Sequence, residues 1–109
     1  MYLFDITNPK RDGALENDIP IHEYQHGITN RLTGGSSNAE CLEADISAGL
    51  DEGFSDSVAV FINRRKNHTR HDPVLMGEYV GDGKGIRTRP YSTDMNVNNL
   101  TCKCILPHL

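Results

Sequence analysis

Tryptophan is absent from this chain and only 6% of its residues are aromatic, so few large rings are on hand to anchor a core. No apolar run approaches the ~20 residues that a membrane-spanning helix needs, and no membrane partner is expected. The opening MYLFDITNPKRDG lacks a charged region followed by a long apolar stretch, and so is not a signal peptide. Basic residues are in the minority, 11 Lys and Arg against 15 Asp and Glu, for a net charge of −4. No Lys/Arg cluster is interleaved with aromatics, which argues against nucleic acid as a partner. The short run Arg64-Arg65-Lys66 reads as a solvated helix C-terminus favoured by the helix dipole. The three cysteines, Cys41, Cys102 and Cys104, are an odd number and describe no closed disulfide framework. Cys102-x-Cys104 has no second pair to complete a metal site, so surface thiols are the simpler reading. There is no internal repeat.

Against this plain background one stretch stands out, His22-Glu23-Tyr24-Gln25-His26. It spells His-Glu-x-x-His, a pattern in which two imidazoles one helical turn apart can share a metal while the glutamate reaches a metal-bound water. Five residues alone arise readily by chance, and stray histidines on a solvated helix face are common. A third ligand is therefore required, and Glu52, 26 residues beyond His26, is the candidate. His₂Glu is a standard catalytic zinc set that leaves the fourth position to water. Asp56 follows Glu52 at i+4 on the same helical face. Metal-ligating histidines usually pass their second N–H to a carboxylate, and Asp56 is the candidate for that role toward His22. Glu52 by itself would more often be a surface carboxylate. His68 and His71 fall in a polar loop, where solvated histidines are the ordinary reading.

Three blocks carry a resemblance. IPIHEYQHGITNRLTGG (19 to 35), GLDEGFSD (49 to 56) and MGEY with GIRTRPYST (76 to 93) closely resemble the fungalysin family of secreted fungal zinc metalloendopeptidases. The upstream NPKRDGALEND (8 to 18) is similar to that family's lead-in to its active-site helix. The resemblance implies that His22, His26 and Glu52 are ligands of one zinc ion and that Glu23 is the catalytic base. It implies protein or peptide substrates, an extracellular location, and a signal peptide and propeptide in full-length relatives. It also implies an oxyanion-stabilising histidine in a C-terminal helical subdomain, a role not carried onto His108. Asp51 departs from the family, which usually has glycine there, and a modest effect is expected. Phe54 stands where tryptophan is common. From about Leu100 the residues TCKCILPHL lose the pattern, so residues 1–99 read as a partial metallopeptidase catalytic domain and 100–109 as a tail, and the chain as a fragment.

The expected architecture is mainly α, a fragment of an α+β zincin domain of the thermolysin-like kind. Met1 to Phe4 suggests the end of a strand. A first helix is expected over 18–33, with Asp18 as N-cap and Pro20 in the first turn, and with Ile21, Tyr24 and Ile28 as its core face. A second is expected over 47–65, with Ser47 as N-cap. Its apolar stripe of Leu50, Phe54, Val58, Phe61 and Ile62 lies apart from the stripe of Glu52, Asp56, Ala59 and Asn63. Residues 66–99, rich in glycine, should be loop. Two glycosylation sequons, Asn67-His68-Thr69 and Asn99-Leu100-Thr101, matter only for a secreted chain.

Overall fold

The computed structural model describes residues 3–101. Cys102, Cys104 and His108 lie outside the described residues. Two strands, β1 (Leu3–Phe4) and β2 (Arg11–Asp12), pair antiparallel with Leu3 opposite Asp12 and Phe4 opposite Arg11, as the apolar opening suggests. A 3-10 turn at Gly13–Leu15 follows, held where Ala14 N donates to Asp12 Oδ1 at 2.9 Å. Two long helices then dominate, α1 (Asp18–Gly34) and α2 (Asp45–Asn63). From Arg64 the backbone is irregular, with one antiparallel bridge between Val74 and Tyr91.

The helix starts differ from the expectation in an instructive way. Asn17, not Asp18, occupies the cap of α1, and it makes no side-chain capping bond. The Asp18 carboxylate is instead turned to the far loop, where it accepts from Gly77 N at 2.8 Å. A charge-assisted bond of that kind is about twice as strong as a neutral one, and the buried aspartate still complements the positive end of α1. α2 begins at Asp45, with Ala44 as its cap, so Ser47 falls inside the first turn. There its hydroxyl donates back to Ala44 O at 2.6 Å, a local bond that serine makes readily. The helix ends at Asn63 because Arg64 is already extended.

α1 and α2 pack along one another. His22 lies beside Asp56 and His26 beside Asp51, so the two helices run in opposite directions. The contact face of α2 carries Asp51, Ser55, Asp56 and Ala59, all buried, with Ser55 and Ala59 fully so. These small residues one turn apart let the helices approach closely. The expected core faces are consequently not the core. Tyr24 is 74% exposed and Phe61 80% exposed, and Ile28, Leu50, Phe54 and Ile62 are also exposed, while Ile21 and Val58 are half-buried. Helical periodicity explains the reversal: once the polar stripe of α2 turns inward toward the histidines, the apolar stripe must turn out.

The loop after α2 folds back over this seam. Met76 and Val80 join Ile19 and Ala59 as its buried apolar residues. Ile86 N donates to Met76 O at 2.8 Å, which closes a turn around Gly77 to Gly85. Gly85 has φ +73°, and a Cβ there would meet Met76 O at 2.7 Å; both the backbone conformation and the close approach demand glycine. Glu16 clamps the same turn by accepting from Tyr79 N at 2.6 Å and Val80 N at 3.2 Å. This anchoring sets the position of Arg87.

Candidate metal centre

α1 puts His22 and His26 one turn apart, with ring centroids 4.5 Å apart and planes at 87°. Their Nε2 atoms face each other at 2.8 Å. Glu52 of α2 completes the group: Oε2 is 3.4 Å from His22 Nε2 and Oε1 is 3.4 Å from His26 Nε2. One ligand atom from each of the three lies within 4.8 Å of the others, and among the described residues this is the group able to hold a metal ion. The structure thus brings together the three residues that the sequence singled out. His68 and His71 are exposed in the loop and do not join it.

The opposite edge of each ring meets a carboxylate. Asp56 Oδ1 is 2.7 Å from His22 Nδ1, close but out of the hydrogen-bond line. Asp51 Oδ2 is 2.6 Å from His26 Nδ1, with Ser55 Oγ at 3.2 Å. A carboxylate can only accept, so in the neutral rings the proton belongs on Nδ1 and the lone pair on Nε2. Two lone pairs then converge at 2.8 Å beside the oxygens of Glu52, which is repulsive unless a cation is shared between them. The charges point the same way, because Glu23, Asp51, Glu52 and Asp56 gather here and Arg87 is the cation ion-paired with two of them. Two imidazoles and one carboxylate are a donor set that fits zinc.

Arg87 organises the carboxylates. Its Nε and Nη2 grip Asp56 at 2.8 Å each, and Nη2 also reaches Glu52 Oε2 at 2.9 Å. The Tyr91 hydroxyl donates to Asp56 as well. Burial alone would raise the Asp56 pKa, but the hydrogen bonds from Arg87 and Tyr91 and the nearby positive charge win and hold it below the usual carboxylate range. Burial and the bond to Asp56 push Tyr91 up to about 12. Neither Arg87 nor Tyr91 was assigned a role from sequence, although both fall in a block that carries the family resemblance. No spacing rule links a lone arginine in a glycine-rich loop to a helix 31 residues away. Asp51, treated as a bystander charge, also went unassigned, although its place at i−1 of Glu52 and i−4 of Ser55 was a usable signal.

The centre opens onto a cleft of about 380 Å³ lined by Phe4, Ile19, Glu23, Met76, Ile86 and Arg87. Glu23 is exposed there beside His22. A larger cleft of about 520 Å³, near Glu16, Asp18, Arg65 and His68, contains none of the three ligands; the smaller one carries the chemistry because the donor atoms converge in it.

Antiparallel helices that present His-Glu-x-x-His against a glutamate form a group that could hold a metal ion, the donor arrangement of the metallopeptidase class. Comparison with known proteins leads to the same class. The family described as Fungalysin metallopeptidase (M36) matches residues 1–108, a stretch reaching past Asn99 into the tail. The chain is 46% identical over 99 residues to extracellular metalloproteinase 1 of Phaeosphaeria nodorum, covering 90% of this chain and 16% of that protein. It is 46% identical over 101 residues to extracellular metalloproteinase 4 of Arthroderma otae, and 44% identical over 102 residues to extracellular metalloproteinase mep of Aspergillus terreus. Those matches cover 92% and 93% of this chain, and 16% of each relative. The chain belongs to the fungalysin metallopeptidase family, and it spans about a sixth of the length of these curated relatives.

Proposed function

We propose that this chain carries the metal centre of a zinc-dependent metalloendopeptidase that hydrolyses internal bonds of extracellular proteins. The observation that carries the proposal is the convergence of His22, His26 and Glu52 to within 4.8 Å, with Glu23 beside them in the same cleft. His22, His26 and Glu52 would hold one zinc ion, and Asp56 positions His22. When bound, zinc lowers the pKa of its water toward about 7 and polarises the scissile carbonyl. Glu23 accepts the proton of the attacking water and passes a proton to the leaving amine. Arg87 keeps Asp56 ionised and holds Glu52 by a direct bond, so that both carboxylates stay in place around the ligand point. The thermolysin-like α+β zincin architecture, secretion and a propeptide are inferred from family membership and from the extracellular names of the relatives.

A second reading is a zinc-binding chain without turnover of its own. What favours it is the 16% span of the relatives, since the described residues supply ligands and a base but no assigned oxyanion donor, and each such donor is worth about 10²–10³ in turnover. Zinc stoichiometry measured together with cleavage of a quenched peptide separates the two. One zinc per chain with cleavage is expected, and Glu23→Gln should keep the zinc while lowering the rate by about 10²–10⁴-fold. Zinc without cleavage selects the second reading. No zinc uptake rejects both.

A further inference from the structure

Asp51 is 8% exposed, although it sits one position from the exposed Leu50 and Glu52. Carboxylates are almost never so buried unless something pairs with them. Its Oδ1 is buried and has no hydrogen-bond partner, and its Oδ2 is 2.6 Å from His26 Nδ1. Burial of this side chain therefore rests on a single strong bond to the imidazole. Ser55 Oγ, at 3.2 Å from the same nitrogen, is a longer and weaker alternative. On the other ring Asp56 lies 2.7 Å from His22 Nδ1, although out of the hydrogen-bond line. α2 therefore offers one carboxylate to each histidine.

We infer that Asp51 is a positioning residue for the metal centre, the carboxylate that fixes the Nδ1–H tautomer and the ring orientation of His26 so that its Nε2 faces the shared ligand point. The inference rests on the proposed zinc-centre reading. Second-sphere partners of this kind hold the ring and raise its basicity, and their loss typically weakens metal binding by about 10–100-fold. A glycine at position 51 would leave His26 Nδ1 to Ser55 alone. On this inference Asp51 acts as a bonded partner of His26 rather than as a diffuse charge, and its effect is larger than the modest one expected from the sequence.

Zinc affinity of the full chain, measured by competition with a chromophoric chelator, tests the inference without any turnover. Asp51→Ala should bind zinc about 10–100-fold more weakly. Asp51→Asn, which keeps an oxygen able to accept from Nδ1–H but loses the charge, should recover most of that affinity. Nitrogen-15 NMR of the histidine rings in the unaltered, metal-free chain should show neutral His26 protonated at Nδ1. That measurement does not depend on any variant folding. Equal affinity in Asp51→Ala, an Asn variant as weak as the Ala variant, or a His26 protonated at Nε2 would each overturn the inference while leaving the zinc centre standing. Failure of the unaltered chain to take up zinc would overturn the zinc reading and this inference together.

Discussion

The inner and outer faces of the helix pair invert the usual arrangement. The seam between α1 and α2 buries His22, Asp51, Ser55 and Asp56, while the outer faces leave Tyr24, Phe54 and Phe61 in the open. The apolar residues that are buried, Ile19, Ala59, Met76 and Val80, sit around the polar seam. The seam coheres through paired charges and directed bonds, whose geometry must be complete to be favourable. The outer faces take part in no such bonding, so they tolerate change. Polar chemistry at the centre has taken the position that hydrophobic burial would otherwise claim.

The sharpest way to break this contrast is to remove the cation of the seam. Arg87→Ala leaves Asp56, at 2% exposure, with Tyr91 and His22 but without its two guanidinium bonds. Stripping one partner from a fully buried pair costs about 3–5 kcal/mol; because Arg87 itself is half-buried, the expected loss is about 2–3 kcal/mol. Urea unfolding of the two chains reads it directly. A loss below about 0.5 kcal/mol, the range of an ordinary surface substitution, would mean that the seam is solvated rather than bonded.

What was legible in the sequence divides along the same line. His22, His26, Glu52 and Asp56 were readable because their chemistry is encoded at i, i+4 intervals that a helix turns into a face. The two helices were readable within a few residues for the same reason. Which face would be buried was not, because amphipathic periodicity says that two stripes exist without saying which one a neighbour covers. Ile21, Tyr24 and Ile28 were assigned to a core because they share an apolar face at helical period, and the histidine stripe of α1 won that position. The caps failed for a related reason: Asp18 and Ser47 are good local cap residues, but Asp18 was drawn to Gly77, 59 positions away. Arg87 and Tyr91 reach Asp56 through a turn whose path depends on Gly85 and on Glu16, and no local pattern records that path.

A finer probe of the seam's rim is pH. Burial first, then hydrogen bonding and repulsion from Asp18, push Glu16 up to about 7, against the pull of the Val80 and Tyr79 amides. The folded chain then binds this proton more tightly than the unfolded chain, whose Glu16 titrates near 4.5. The contribution from Glu16 is fully present below pH 4.5 and is lost as pH rises through about 7. The urea midpoint should therefore fall across that window, and the fall should be smaller in Glu16→Gln, which keeps a carbonyl oxygen for the Tyr79 amide. Identical pH profiles in the two chains would remove Glu16 as the cause of the fall.

The smallest effect belongs to the outer face. At 80% exposure Phe61 gives up little water-excluded area on folding, and the hydrophobic gain scales with the area removed from water, about 25 cal/mol per Å². Phe61→Ser should therefore shift stability by no more than about 0.5 kcal/mol, although it deletes one of the two largest side chains of the expected apolar stripe. Urea unfolding beside Arg87→Ala makes the comparison internal to one protein: a charged loop residue should matter several times more than an aromatic helix residue. A loss in Phe61→Ser equal to that of Arg87→Ala would mean that the outer stripe is covered in solution, and the inverted arrangement would then be a property of the helix pair taken alone.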